Sequence, residues 1–329
     1  MNISPKFISY INNSNKCSLH PELDKTVHNL SNNFINLPNI IIYGPNGTGR
    51  YTQALRIINK YSKSNLQYEK KVVCSTNKLD FYIKISDIHF EIDFSILGCN
   101  AKTIWDSIYK TIIDIITVSV NKQGIFLCYN FQEIHRDLLP IFFSYMQSIN
   151  NIIKFKFIII TDAIAFIPDS IILRCQTLNI KRPTKKLYSE CINNTIPQSV
   201  SLKIIDSINT IKDKNYELFS PCIKQSKKIF EMILDIENLN IIDIRNELYN
   251  ILTYNYQFDK ILWNILILVL QLKNISIDKK RECIKFTLEI YKYYYNNYRP
   301  IYHLENYIFY LITVINGYQN SIKDTLYKL

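Results

Sequence analysis

Glycine and proline are scarce here, with only 6 Gly and 10 Pro in 329 residues. An all-β chain needs both for its turns, so the shortage argues against that class and leaves room for long helices. The 8 cysteines, at positions 17, 74, 99, 128, 175, 191, 222 and 283, form no C-x-x-C pair. That spacing excludes a zinc knuckle and a dithiol redox motif, and the expectation is reduced thiols in an intracellular protein. The N-terminus has no apolar stretch like a signal peptide. The most apolar later run, Ile261 to Leu272, is interrupted by Asn264 and too short to span a bilayer, so no membrane partner is expected.

Acidic residues are also in deficit, 28 against 39 Lys and Arg, which leaves a net charge of +11. A basic chain fits a nucleic-acid partner. Yet Ile, Asn, Lys and Tyr are heavily used while Ala, Gly and Pro are not, as AT-rich coding DNA produces, so the charge carries modest weight. With 47% hydrophobic and 20% charged residues the composition is globular, and the length suits two or three domains.

Apolar strand-like runs alternate with helical patterns over the first two thirds. Ile40 to Tyr43, Phe81 to Ile85, His89 to Asp93, Ile125 to Cys128 and Phe155 to Thr161 read as extended. Tyr51 to Tyr61, Ala101 to Val120 and Leu138 to Ile149 read as helices, the second with apolar residues at 104, 105, 108, 112, 115 and 116. Short Ile/Phe runs of this kind suit a parallel sheet covered by helices on both faces. After Pro183 the strand-like runs stop. Residues 184 to about 225 read as short helices broken by polar loops, followed by helices at 227–238, 241–254, 258–272, 278–296 and 301–315. The Tyr-rich stretch "YKYYYNNYRPIYHLENYIFY" reads as core and interface rather than as a base-stacking platform.

Three of the six glycines fall within Gly44 to Gly49, in "YGPNGTGRYT". Between a strand and a helix, G-x-x-x-x-G lets backbone N–H groups wrap an anion and aims a helix N-terminus at it. Gly44, Pro45, Asn46, Gly47, Thr48, Gly49, Arg50, Tyr51 and Thr52 therefore form the candidate nucleotide loop. A working loop ends in Lys and then Ser or Thr, but this one ends in Arg50 and Tyr51. Arg keeps the charge as a planar fork of different reach. Tyr51 carries its hydroxyl far out on a ring, and Thr52, one residue late, is rotated about 100° around the helix. Mg²⁺ binding is thus in doubt. The carboxylates that would hold Mg²⁺ and polarise water belong after the strand Ile125 to Cys128, where Tyr129 and Asn130 stand instead. Glu133 and Asp137 lie past the strand end and read as solvated helix-start residues. Both metal-facing features are lost together, which points away from hydrolysis at this site.

Taken with "HFEID", "IFLCYNFQEIHRDLLPIFFSYMQ" and "IPDSIILRC", the loop segment "LPNIIIYGPNGTGR" resembles the clamp-loader family of AAA+ proteins, especially the small subunits of replication factor C. Order and spacing match over residues 17 to 182. The Asn- and Ile-rich style and "FFSYMQ" look most like a copy from a large DNA virus. The resemblance implies an AAA+ P-loop domain with a parallel sheet over residues 1–182, a small helical lid over 183–226 and a helical collar bundle for oligomerisation over 227–329. It implies ATP or ADP between neighbours in an arc of five subunits, which opens a sliding clamp onto primer–template DNA in the nucleus or a viral replication compartment. By the same resemblance Tyr129 and Asn130 occupy the Walker B acid positions, Thr161 the sensor position, and Arg174 and Cys175 the end of a Ser-Arg-Cys motif whose Arg reaches into the adjacent subunit. Leu173 replaces the Ser. Phe143 and Ser144 stand where related subunits carry paired arginines. The expected function is a subunit that binds nucleotide weakly or statically, does not hydrolyse it, and lends Arg174 to its neighbour. The alternatives are an active ATPase using displaced carboxylates such as Glu133, and a structural scaffold subunit.

Overall fold

Ile40, Ile41 and Ile42 are consecutive and all fully buried, which a strand achieves only when both faces of its sheet are covered. They form the middle of β1 (Asn39–Tyr43). The computed structural model describes residues 6–75, 80–147, 153–192, 196, 202, 221–235, 240–254, 256, 258–296 and 299–316. In it β1 runs parallel to a strand on each side, β6 (Lys154–Thr161) and β7 (Cys175–Asn179). β5 (Gln123–Tyr129) and β4 (His89–Asp93) extend the parallel part beyond β6. β3 (Asp80–Ile85) and β2 (Lys70–Ser75) add an antiparallel edge, giving the order β2-β3-β4-β5-β6-β1-β7. Both neighbours of β1 come later in the chain, so the carboxyl end of β1 is a switch point, where open α/β sheets place their ligands.

Alternation along the strands sends residues to two different cores. Ile40, Ile42, Ile125, Leu127, Ile158 and Ile160 face α1 (Phe7–Lys16) and α3 (Arg50–Asn59) with Phe7, Ile11, Ala54, Leu55 and Ile58. Ile41, Phe126, Cys128, Phe157 and Ile159 face the other way, toward α4 (Ala101–Val118) and α5 (Leu139–Met146). That second layer is aromatic: Phe126 stacks on Phe157 at 4.8 Å, and fully buried Trp105 packs on Phe94 and Phe142 at 5.2 Å each. Each such side chain contributes roughly 1.5–3 kcal/mol by leaving water.

The chain divides into two compact units, Met1–Lys214 and Asn215–Leu329. The second is all-helical in its described residues: α8 (Pro221–Leu234), α9 (Ile241–Thr253), α10 (Phe258–Gln271), α11 (Ile277–Asn296) and α12 (Pro300–Asn316). Phe258, Ile261, Leu262, Ile265, Leu266 and Val269 make the buried stripe of α10 at helical spacing. Tyr307 is buried with its hydroxyl against that of Thr287 at 3.2 Å, so part of the Tyr-rich stretch is core, while Tyr291, Tyr293 and Tyr302 are exposed. Among the described residues no helix is long and apolar enough to cross a membrane.

Among the described residues the expected strands and long helices are present, with four additions. The sequence reading lacked α1 and α2 (Pro21–Asn29), the edge strand β2, and β7, whose alternating "CQTLN" is half polar because it closes an edge. The first long C-terminal helix begins at Pro221 rather than 227. Of the segment 183–226, α7 (Lys185–Ile192) and the start of α8 are described, and most of the rest lies outside the described residues.

The expectation of eight reduced thiols is corrected. Cys17 and Cys191 are joined as a disulfide across 174 residues of sequence, a pairing made by the fold and invisible to local spacing. Cys74, Cys128, Cys222 and Cys283 are buried free thiols, and Cys175 is a half-buried one.

Gly44 is required by close approach, since a Cβ there would lie 2.2 Å from the backbone oxygen of Ile180. Gly44→Ala should destabilise the first unit by roughly 1–3 kcal/mol, the usual cost of overpacking. Denaturant unfolding followed by tryptophan fluorescence at Trp105 measures it.

Candidate phosphate-binding site

At the carboxyl end of β1 the chain turns through the glycine loop into α3. The Gly44 N–H donates to the Thr161 carbonyl at 3.4 Å, tying the loop to β6. Gly47 and Gly49 take φ of 75° and 86°, left-handed values that side chains resist, and Gly49 is the N-cap of α3. Thr48 is fully buried and its hydroxyl donates to the Pro45 carbonyl at 2.7 Å, so this side chain braces the loop from within.

Three side chains from outside the loop hold its carbonyls. His20 Nε2 donates to Thr48 O at 2.6 Å, Tyr188 to Gly47 O at 3.3 Å and Arg182 to Asn46 O at 3.4 Å. Burial lowers the His20 pKa below its ordinary 6.5, against the opposing pull of that Thr48 carbonyl. His20 is therefore neutral at neutral pH, and the bond makes its Nε2 the protonated nitrogen.

Arg50 is 9% exposed and donates through Nη2 to Asn46 Oδ1. Its Nη1 is buried with no hydrogen-bond partner among the described residues. Burial lowers its pKa, and Asp162 opposes the shift. The Asn46 amide reaches that Asp162 at 3.4 Å. An orphaned buried guanidinium N–H beside a left-handed glycine turn fits an anion such as a phosphate, which would satisfy the charge and the donor together.

The metal half of such a site is built differently. The Tyr51 hydroxyl donates to Glu91 Oε1 at 2.5 Å. Its ring meets Tyr10 of α1 at 5.0 Å and Tyr129 at 6.3 Å, both edge-on. Glu91 is 5% exposed and also faces His89 Nε2 at 3.7 Å. Asp93 Oδ1 accepts the Asn130 amide at 3.0 Å, the Ser95 N–H at 3.0 Å and the Ser95 hydroxyl at 2.7 Å. Burial, then the nearby carboxylates, raise the phenol pKa values of Tyr51 and Tyr129, so both stay neutral. A Mg²⁺ ion needs oxygens free to turn toward it in octahedral geometry. Here the acids sit on β4 instead of β5, and their oxygens accept from tyrosine, asparagine and serine. The residues present do not fit Mg²⁺.

The remaining residues singled out from sequence are spread around this centre. Asn130 adopts a left-handed conformation, φ 52° and ψ 40°, which Asn tolerates better than most residues. The Thr161 side chain is fully buried and its hydroxyl donates to the Ala163 carbonyl at 2.7 Å, closing a turn after β6. Glu133 and Asp137 are exposed. Arg174 follows the short helix α6 (Asp169–Ile172), is exposed, and holds its guanidinium 5.1 Å over the Phe143 ring. Leu173 beside it is 85% exposed. Sequence reasoning missed Glu91, Asp93, Tyr10, His20, Arg182 and Tyr188. The signal for the first two was the alternation in "HFEID", which puts His89, Glu91 and Asp93 on one face of β4.

No family model matches the chain. Replication factor C subunit 5 of Saccharomyces cerevisiae is 21% identical over 335 residues, covering 89% of this chain and 94% of that protein. The chain is a remote homologue of that subunit. The likeness extends into the second, helical unit, because 89% of the chain is more than the first unit, Met1–Lys214, contains. In spatial sequence the parallel strands run fifth, first, fourth, third, second. Among solved structures, a DNA polymerase III gamma subunit-related protein from Thermotoga maritima aligns at 9% identity and TM-score 0.43, over 89% of this chain and 98% of that one. The Thermotoga maritima RuvB Holliday junction branch migration motor aligns at 16% identity and TM-score 0.32, over 85% and 76%.

Tyr51→Phe removes the donor to Glu91 and leaves a buried acceptor short of a partner, which should cost about 1–3 kcal/mol at neutral pH. The raised Tyr51 pKa stabilises the fold fully below the ordinary phenol value of 10.0, and that stabilisation is lost as pH rises above it. The free energy of unfolding measured from pH 8 upward should therefore fall more steeply in the unaltered chain than in Tyr51→Phe.

Proposed function

We propose that this chain is a clamp-loader small subunit of the replication factor C kind, which holds ATP or ADP weakly or statically, does not hydrolyse it, and lends Arg174 to the site of a neighbouring subunit. The observation that carries this reading is the Tyr51–Glu91 hydrogen bond, which ties the residue standing in place of a metal-binding Ser or Thr to a buried carboxylate of β4. Gly44 to Gly49 and Arg50 would hold the phosphates, and Tyr51, Tyr129 and Asn130 leave no base to activate water. Exposed Glu133 gives little support to a displaced catalytic carboxylate.

Arg174 suits an exported role. Its contact with Phe143 is a cation–π interaction worth about 0.5–1 kcal/mol at an exposed site. An arginine finger contributes 10³–10⁵ in rate, which is about 4–7 kcal/mol of transition-state stabilisation. Leaving Phe143 is a small cost beside that gain. Residues 1–182 then serve as the nucleotide-binding-like domain, 183–226 as the lid and 227–329 as the collar. Partners are the other subunits of a five-membered arc, a sliding clamp and primer–template DNA, in the nucleus or a viral replication compartment.

Purified alone, the chain should show no ATP turnover. In the reconstituted complex, Arg174→Ala should lower DNA- and clamp-stimulated turnover by roughly 10³ at the adjoining site, whereas Glu133→Gln should leave turnover unchanged. Full activity of Arg174→Ala would reduce this chain to a scaffold. Turnover by the chain alone that Glu133→Gln abolishes would establish the active-ATPase reading instead.

A further inference from the structure

The Cys17–Cys191 disulfide joins the two elements that grip the glycine loop. Cys17 caps the end of α1 and stands three residues before His20, which donates to Thr48 O at 2.6 Å. Cys191 lies in the last turn of α7, three residues after Tyr188, which donates to Gly47 O at 3.3 Å. A closed circuit results, running from the loop through His20 to Cys17, across the sulfur bridge to Cys191, and back through Tyr188 to the loop. Both cysteines are only half-buried, within reach of a small thiol. Their Cα atoms are 5.4 Å apart, inside the ordinary range for a disulfide.

We propose that Cys17 and Cys191 are a thiol-oxidation site that sets the rigidity of the glycine loop. Oxidation by a small disulfide such as oxidised glutathione proceeds by two exchanges. One cysteine thiolate attacks the small disulfide, forming a mixed disulfide and releasing one thiolate. The second cysteine then attacks the protein sulfur of that mixed disulfide, the Cys17–Cys191 bond forms and a second thiolate leaves. Two protein thiols are oxidised and one small disulfide is reduced to two thiols. In the oxidised form α1 and α7 cannot separate, so His20 and Tyr188 keep their hold on the adjacent carbonyls of Gly47 and Thr48. Reduction frees α7 to withdraw, and the loop loses the bracing that presets it for an anion. The consequence for nucleotide affinity rests on the phosphate-binding reading above, whereas the bracing itself does not.

Hydrogen exchange separates the two. The full chain is held in oxidised glutathione or in dithiothreitol, its bridging is checked by non-reducing peptide mapping, and exchange is followed in the peptide spanning Gly44 to Arg50. The linked 17–191 peptide should appear in oxidised glutathione, and loop exchange should be roughly tenfold slower there than in dithiothreitol, with a free-energy equivalent of about 1.4 kcal/mol. Cys17→Ser should exchange at the fast rate in both buffers. Tyr188→Phe should keep the bridge and still exchange faster, because its grip on Gly47 is gone. Absence of the linked peptide, or equal exchange in both buffers, would overturn the proposal. Binding of a fluorescent ATP analogue is measured in the same samples. Weaker binding in dithiothreitol supports the extension to affinity. A loop that responds without binding the analogue in either buffer keeps the latch and overturns that extension together with the phosphate-binding reading.

Discussion

The hydrogen bond from Tyr51 to Glu91 is the constraint around which this site is organised. It joins the first turn of α3 to β4, beside the carboxyl end of the glycine loop. With the hydroxyl and the carboxylate engaged, the neighbouring groups settle into a largely aromatic cluster: Tyr10 and Tyr129 pack on Tyr51, and Asn130 binds Asp93. Glu91 and Asp93 on β4 accept from protein donors, and a third acid, Asp162, is exposed beside the loop and accepts the Asn46 amide. Replacing Tyr51 alone would therefore free one oxygen of Glu91 and leave Asp93 committed.

The other half of the loop keeps an anion-binding character. The left-handed glycines, the buried Thr48 brace and the orphaned Nη1 of Arg50 all favour a phosphate over an empty turn. The loop carbonyls are fixed by His20, Arg182 and Tyr188, which come from segments on both sides of the P-loop region in sequence. A loop held so firmly suits the static occupancy proposed above, in which nucleotide would serve as a structural filler. On the function proposed above, the chemistry would pass to Arg174, which follows α6 and rests over the Phe143 ring.

The sheet was legible because fully buried parallel strands must be apolar throughout, as Ile40 to Ile42 and Ile158 to Ile160 are. The glycine loop was legible because left-handed turns leave so little choice of residue. β7 was hidden, since "CQTLN" at a sheet edge alternates with polar residues and carries no run. β2 was hidden because its apolar run, Val72 to Cys74, is only three residues long and flanked by lysines and a serine. Glu91 and Asp93 were quoted within "HFEID", but their role depends on β4 lying beside β5, which pairs Asp93 with Tyr129. No local pattern contains that register. The Cys17–Cys191 pair was misread for a similar reason, because residues 174 apart meet only after the domain has closed.

Calorimetric titration of the purified chain with ATP, in Mg²⁺ and again in EDTA, tests the proposed metal-free nucleotide site most directly. Equal affinity in both, within about twofold, is the predicted result, since Arg50 and the loop amides would hold the phosphates unaided. Affinity that rises tenfold or more with Mg²⁺ would contradict it, as would failure to bind ATP under either condition.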